Sequence, residues 1–91
     1  MIKVSEHFVQ RYKERVCGKT KRIELFAGRA YYLGDKADEV NSGRLKAYLK
    51  RKERENESCC RIYQGFVYWF NGDVATTVYA VPKNPTLWRV A

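Results

Sequence analysis

Apolar side chains return with a helical period in the first half of the chain and with a strand period in the second half. From residue 5 to residue 17 they recur every three or four positions, which predicts an amphipathic helix over residues 5–17. Ser5 is suited to cap its N-terminus, and Gly18 is suited to end it. The apolar stripe of this first helix consists of Phe8, Val9, Tyr12 and Val16.

Two further helices are predicted before residue 56. The second follows Thr20 as its cap and ends at Gly34. The third begins at Ser42 or Gly43 and runs to Glu55, with a narrow apolar stripe of Leu45, Tyr48 and Leu49. A helix with so narrow a stripe lies on the surface with its basic side outward. Its other faces carry Arg44, Lys46, Lys50, Arg51, Lys52 and Arg54.

Residues 61–63, 66–70 and 74–81 are rich in β-branched and aromatic side chains, which predicts three strands. Turn residues at 64–65 and 71–73 join them into an antiparallel meander, and Pro82 and Pro85 end it. Residues 2–4 can add a fourth strand at an edge. The predicted fold is a single α+β domain over residues 1–91, with two to three N-terminal helices packed on one face of a three- to four-stranded antiparallel sheet.

Composition narrows the class of protein. A hydrophobic content of 45% indicates a folded chain, and no apolar run approaches the ~20 residues of a membrane-spanning helix. The N-terminal residues lack the apolar core of a secretory signal, so we expect a cytoplasmic protein. An odd number of cysteines, with Cys59 and Cys60 adjacent, suits neither disulfides nor zinc. We expect these thiols to be buried or half-exposed, with no metal or cofactor.

The formal net charge is +8, and it is unevenly placed. Residues 1–22 and residues 44–54 each hold a surplus of five cations, whereas the rest of the chain is neutral or slightly acidic. Clustered charge of this kind is typical of nucleic-acid binding, and RNA is the expected partner. A solubilising surface and an acidic protein partner remain open. The residues predicted to contact nucleic acid are Lys46, Lys50, Arg51, Lys52, Arg54, Arg61 and Tyr63.

Two sets of side chains could carry chemistry. His7, Arg11 and Arg15 stand at i, i+4 and i+8 on the first helix and project as one row. Guanidinium groups hold phosphate oxygens, and an imidazole can move a proton near neutral pH. Thr77 and Tyr79 share one face of the last strand because they are two positions apart. The alternatives are solvated arginines, with Glu14 as an ion-pair partner, and an ordinary half-exposed strand.

Aromatic side chains late in the chain add a further possibility. Tyr63, Tyr68 and Trp69 could stack bases beside the cations. Trp69 alternates with Val67, so both are expected to pack in the core. Stacking and core packing are therefore both open for this group.

Several short motifs, taken in order, carry a resemblance. They are H-x3-R-Y-x-E-R-V from His7, Leu45–Leu49, Arg61–Tyr63, Val67–Phe70 and Thr77–Pro82. Together they resemble a family of small uncharacterised phage and prophage proteins. That family is in turn similar to the barnase–EndoU–colicin–RelE group of metal-independent endoribonucleases, in which N-terminal helices pack on an antiparallel sheet.

The resemblance implies a function and a site. In that group a helix supplies His and Arg and a late strand supplies Thr or Tyr, which here implies catalytic roles for His7, Arg11, Arg15, Thr77 and Tyr79. Phosphoryl transfer needs these side chains to converge in one shallow basic cleft, where His7 or Tyr79 would deprotonate the ribose 2′-OH. The implied activity is metal-independent RNA cleavage without a cofactor. The alternative is a non-catalytic phage accessory or anti-defence protein that binds and inhibits a host ribonucleoprotein or other nucleic-acid complex. Neither reading fixes the oligomeric state.

Overall fold

A computed structural model of the chain describes residues 2–41 and 43–81, and this part is an α+β structure. The predicted start of the third helix at Ser42, and the prolines 82 and 85 predicted to end the last strand, lie outside the described residues. The elements are β1 (Lys3–Val4), α1 (Glu6–Arg15), α2 (Ile23–Leu33), a short 3₁₀ helix (Ala37–Glu39), α3 (Gly43–Asn56), β2 (Cys59–Tyr63), β3 (Phe66–Asn71) and β4 (Val74–Ala80).

Helix α1 begins at its predicted cap, whereas helix α2 does not. Ser5 caps α1, because its side-chain oxygen accepts a hydrogen bond of 3.0 Å from the backbone N–H of Phe8. Thr20 does not cap α2 with its side chain. Its carbonyl accepts from the N–H of Ile23 at 3.2 Å, so residues 20–22 form a turn and the helix starts two positions later than predicted.

The four strands form one sheet in the order β1–β4–β3–β2. The β2–β3 and β3–β4 pairs are the predicted antiparallel hairpins. Their turns use left-handed backbone, with φ of 50° at Gln64, 84° at Gly65 and 62° at Gly72. The predicted edge strand is also present, but it runs parallel to β4, so the sheet is mixed rather than antiparallel. Parallel neighbours need a long crossover, and residues 5–73 supply it.

Helices cover both faces of the sheet, which corrects the expectation that they pack on one. One core cluster joins α1 and α2 to Tyr68, Phe70 and Val78. A second cluster on the opposite face joins α3 to Cys60, Val67 and Trp69. Consecutive residues of β3 are therefore buried on alternate sides, and the strand is an unbroken apolar run for that reason.

The chain passes from one face to the other around the edge of β2. Asp35 pairs there with Ile62 through two backbone hydrogen bonds of 2.8 Å, one in each direction. Gly34, directly before it, packs against the backbone of both α2 and β2. This edge contact places the 3₁₀ helix and α3 beneath the sheet, opposite α2. The Asp35–Ile62 contact therefore places α3 on the face of the sheet toward which Thr77 and Tyr79 point.

The three cysteines are free thiols in three different environments: Cys17 is exposed, Cys59 is half-buried and Cys60 is buried in the core beneath α3. Burial raises the pKa of the Cys60 thiol to about 12, and the nearby Glu53 carboxylate acts in the same direction. Glu53 also accepts a hydrogen bond of 3.1 Å from the backbone N–H of Cys60, which ties α3 to β2.

We expect Cys60 to resist alkylation and substitution. At pH 8 iodoacetamide should modify Cys17 in the folded protein and leave Cys60 unmodified, because a buried thiol with a pKa far above the solution pH supplies almost no thiolate. Cys60→Ser should lower the free energy of unfolding by ~1–3 kcal/mol, since a hydroxyl would enter an apolar site. Peptide mass spectrometry and urea denaturation measure the two effects.

Cys59→Ser is the matched control for the second effect, because the same substitution is made one residue away at a half-buried position. It should change the free energy of unfolding by less than half as much. Equal losses for the two variants, or rapid labelling of Cys60 under native conditions, would contradict the packing of Cys60 against α3.

Candidate functional site

An open pocket of about 400 Å³ lies where the start of α1, strand β4 and the second half of α3 meet. Trp69 is nearly buried at its floor, whereas His7 stands exposed at its rim. The pocket therefore joins groups from two helices that cover opposite faces of the sheet. Its lining consists of His7, Tyr48, Lys52, Asn56, Ser58, Trp69, Thr76, Thr77 and Tyr79.

Ser5 determines where His7 stands. Its backbone N–H donates to the carbonyl of Ala75 at 3.0 Å, and its hydroxyl donates to the carbonyl of Thr76 at 3.4 Å. The same hydroxyl oxygen caps α1. The first turn of the helix is thus held against β4, and His7, two residues later, reaches the pocket.

A β-bulge brings Thr76 to the pocket together with Thr77. Trp69 pairs with Thr77 while Phe70 pairs with Ala75, so Thr76 is an extra residue in β4. Its hydroxyl donates to the carbonyl of Trp69 at 3.3 Å. Bulges often re-aim side chains beside functional sites. Thr77 lies on the same face as Tyr79, as predicted, but Thr76 also lines the pocket, which strict alternation would exclude.

The Tyr79 hydroxyl is expected to stay protonated and is poorly suited to act as a general base. It accepts a hydrogen bond of 3.0 Å from Nε1 of the Trp69 indole. Burial raises the pKa of Tyr79 well above the ordinary value, outweighing the opposite effect of the Trp69 hydrogen bond, and a hydrogen bond with Tyr48 raises it further. At neutral pH the phenol therefore stays protonated. The suggestion that Tyr79 could deprotonate a substrate is disfavoured on this ground.

Lys52 is the cation that lines this pocket. Its ammonium lies 5.9 Å from the centre of the Tyr48 ring and 3.7 Å from Oε2 of Glu55. The side chains of Tyr48, Lys52 and Asn56 stand at i, i+4 and i+8 of α3, so they form one row on the face that borders the pocket. The sequence predicted Lys52 as a nucleic-acid contact but gave no functional role to Tyr48 or Asn56. Their spacing of four residues on either side of Lys52 would have indicated that all three share one face of α3.

Arg11 and Arg15 do not line the pocket, which corrects the prediction that they converge with His7 and Tyr79. The Arg11 guanidinium forms an ion pair of 3.1 Å with Glu14. The Arg15 guanidinium donates to the carbonyl of Val78 at 3.0 Å, beyond the part of β4 that pairs with β1. Because α1 rises about 5.4 Å per turn, Arg11 and Arg15 lie about one and two turns beyond His7. Each guanidinium therefore bonds to an acceptor outside the pocket.

The predicted nucleic-acid contacts divide between two faces of the molecule. Five of them lie on α3, and we name these the α3 cations. Lys50 and Arg54 border a second open depression of about 560 Å³ with Glu53 and Ser58. Ion pairs to Glu55 involve Arg51 at 2.9 Å and Lys52 at 3.7 Å. The α3 cations are Lys46, Lys50, Arg51, Lys52 and Arg54.

Arg61 and Tyr63, the other two predicted nucleic-acid contacts, lie apart from the α3 cations. The strand period places Cys60 and Ile62 toward α3, so Arg61 and Tyr63 point toward α2. Arg61 stacks 4.9 Å from the centre of the Tyr31 ring and donates to the carbonyls of Tyr31 and Cys60 at 3.1 and 2.8 Å. Its guanidinium is therefore occupied by intramolecular contacts.

The aromatic side chains proposed for base stacking are largely inside the protein. Tyr68 and Trp69 are 4% and 5% exposed, and Tyr63 is half-buried with its ring centre 6.5 Å from that of Tyr68. Core packing of Trp69 and Val67 is confirmed. Tyr48, half-buried at the pocket wall, is instead an aromatic side chain that a ligand in this pocket could reach.

Comparison with known proteins adds no relative. No family model, no curated protein sequence and no solved structure matches this chain. Among the described residues, no group of three or more His, Cys, Asp or Glu side chains is arranged to hold a metal ion. No helix in that same part of the chain is long and apolar enough to cross a membrane.

Proposed function

We propose that the protein binds RNA, with the α3 cations contacting backbone phosphates and the His7 pocket accepting one ribose–phosphate unit. The observation that supports this most is the pocket itself, which combines an imidazole, two threonine hydroxyls and an ammonium group in one open depression. These are groups that bind phosphate oxygens and ribose hydroxyls. Lys52 belongs both to the pocket and to the α3 cations, so the two surfaces are continuous.

The charge distribution supports a polyanion as the ligand. Helix α3 carries six Lys and Arg side chains against two Glu, and most of the basic side chains stand exposed or half-exposed. Cations arranged along one helix can neutralise successive phosphates, and the release of counterions then drives binding. A cytosolic location, where RNA is abundant, is part of the same proposal.

The finer proposal is metal-independent RNA cleavage. The imidazole of His7 takes the proton from a ribose 2′-OH, the 2′-oxygen attacks the adjacent phosphorus, and the bond to the 5′-oxygen breaks. The 5′-oxygen takes a proton from the solvent. Lys52 stabilises the negative charge on the phosphorane, while the hydroxyl groups of Thr77 and Tyr79 donate to its oxygens. The products are a 2′,3′-cyclic phosphate and a 5′-hydroxyl end.

The direct experiment is to incubate the purified protein with total RNA in the presence of EDTA. We expect fragments that carry 2′,3′-cyclic phosphate ends, at a rate that EDTA does not change. DNA of the same sequence should not be cleaved, because it lacks the attacking hydroxyl. RNA binding without cleavage would remove the catalytic proposal and leave the binding proposal. Failure to bind RNA at low salt would remove both.

Non-catalytic binding is the second candidate, and two observations favour it. Arg11 and Arg15 stand outside the pocket, and the raised pKa of Tyr79 leaves His7 without an obvious partner for acid–base exchange. In this form the protein is an accessory or anti-defence protein that binds and inhibits a host nucleic-acid complex. Binding to RNA, or to a ribonucleoprotein recovered from host lysate, without cleavage would support it.

The α3 cations should contribute most of the RNA affinity, whether or not the protein cleaves RNA. Replacing Lys50, Arg51 and Arg54 together by Ala should weaken RNA binding by roughly 10-fold or more at low salt, and the slope of log affinity against log salt should fall by about 2. Fluorescence anisotropy with a labelled single-stranded RNA, titrated at several salt concentrations, measures both quantities.

A matched control removes the same charge from the first basic segment. Lys13, Lys19 and Lys21 are exposed and lie outside α3, so their joint replacement by Ala should change affinity and salt slope less. Thermal stability should be similar in the two triple variants, because exposed substitutions cost little. Equal losses of affinity in both variants would mean that net charge, rather than the α3 surface, determines binding.

A further inference from the structure

The outer face of α2 is an apolar surface that the fold leaves uncovered. Leu25, Tyr32 and Leu33 are 47%, 71% and 69% exposed, and they are the large hydrophobic side chains exposed in the described part of the chain. Together with Gly28 we name them the α2 stripe. They border a shallow depression of about 600 Å³ whose lining is almost entirely apolar. Exposed apolar surface of this extent is typical of an interaction site.

Gly28 leaves room for another backbone to approach α2 closely. It lies inside α2, where glycine is less favourable than alanine. A Cβ atom at this position would meet nothing within 4 Å, so packing within the protein does not require glycine. A neighbouring helix could approach closely over this position, between the side chains of Leu25 and Tyr32.

Glu24 and Arg29 flank the α2 stripe, and their charges indicate the identity of the helix that packs against it. Leu25, Gly28 and Tyr32 have the spacing of a, d and a positions of a heptad, which makes Glu24 a g position and Arg29 an e position. Neither forms an ion pair with another described residue, and the Arg29 guanidinium lies 5.7 Å from the Phe26 ring centre. In a parallel pair of identical helices, Glu24 of each copy faces Arg29 of the other.

We propose that the α2 stripe binds a second copy of this chain, with the two α2 helices parallel about a two-fold axis. Antiparallel pairing is disfavoured, because the two Arg29 side chains would then meet. A contact made by one face of an 11-residue helix is small beside a standard protein interface, so we expect a weak dimer that forms only at high protein concentration. Helix α3 covers the other face of the sheet, so the α3 cations stay exposed in the dimer.

Sedimentation equilibrium over a concentration series that reaches the millimolar range tests the proposal. The wild type should shift from monomer to dimer. Glu24→Arg and Arg29→Glu should each raise the dimer dissociation constant by roughly 10-fold or more, because each places two like-charge pairs across the interface. An equimolar mixture of the two variants should recover dimerisation as a heterodimer, since all four charges are then complementary. Lys13→Glu, which makes the same charge change on α1 as Arg29→Glu makes on α2, should have no effect.

Each alternative outcome contradicts the proposal. A wild type that stays monomeric throughout would show that this face does not bind a second copy. Failure of the mixture to recover, with both variants folded by circular dichroism, would exclude the parallel pairing. A different protein held on this face, with no self-association of the purified chain, would assign the α2 stripe to that protein. None of these results depends on whether the protein binds RNA.

Discussion

His7→Gln should reduce the proposed RNA cleavage by roughly 100-fold or more, because removal of a positioned general acid–base group costs that much. His7 is the one histidine of the chain, so no second imidazole can take over the proposed proton transfer. Because the side chain is exposed at the rim of the pocket, its replacement should leave the fold intact. RNA affinity should stay within a few-fold of wild type, since the α3 cations are unchanged. Initial cleavage rates and anisotropy titrations measure the two effects separately.

Arg11→Gln is the matched control on the same helix. Arg11 belongs to the row that sequence reasoning placed with His7, but its guanidinium pairs with Glu14 outside the pocket. We therefore expect cleavage to change by less than a few-fold. If Arg11→Gln is as damaging as His7→Gln, the outer row of α1 is the reactive surface and the pocket between α1, β4 and α3 is not.

Elements with strong local signals were predictable. Helix α3 was expected to end at Glu55 and ends at Asn56, and the hairpin turns fall at the expected Gln64–Gly65 and Gly72 positions. These predictions rest on short-range chemistry, namely side-chain periodicity and glycine in left-handed backbone. The start of α2 was less predictable, because Thr20 offers its carbonyl and not its hydroxyl to the helix.

The placement of α3 depends on long-range contacts, and its narrow apolar stripe fits either face of a sheet. The sequence of β3 nevertheless indicates that both faces of the sheet are covered. Residues 66–70 are apolar without interruption, and a strand exposed to solvent on one face would alternate instead. The Asp35–Ile62 edge contact, which routes the chain to the second face, has no sequence signature of its own. The parallel pairing of β1 with β4 is likewise a tertiary contact between distant segments.

The candidate site was predictable only where it follows from the local period. Thr77 and Tyr79 share a face because they are two apart in a strand, and they line the same pocket as His7. The arginine row was extended from His7 by helical spacing alone. Spacing shows which side chains share a helix face, but it does not show how far along the helix a pocket reaches. The contribution of α3 required its position beneath the sheet, which the sequence reasoning had placed elsewhere.

Gly34→Ala should destabilise the protein strongly, by about 3 kcal/mol, at the upper end of the cost of overpacking. Gly34 has φ −74° and ψ 160°, an ordinary extended conformation, so the requirement for glycine comes from close approach and not from backbone strain. A Cβ atom there would lie 2.5 Å from the carbonyl oxygen of Ala30 and 2.9 Å from that of Ile62. Both are backbone atoms of packed elements, so either α2 or the Asp35–Ile62 contact must shift. For a domain of this size we expect a fall in melting temperature of roughly 10 °C or more.

Gly28→Ala provides the matched control, because the same methyl group is added to the same helix where nothing lies within 4 Å. In dilute protein it should leave stability unchanged or raise it by up to ~1 kcal/mol, as alanine favours a helix interior. Opposite signs for the two variants, measured by urea denaturation, would support the close packing of α2 on the edge of β2. If Gly34→Ala is tolerated as well as Gly28→Ala, α2 does not pack closely on the edge of β2. The chain would then lack the rigid crossing that holds α3, and with it the α3 side of the pocket, in place.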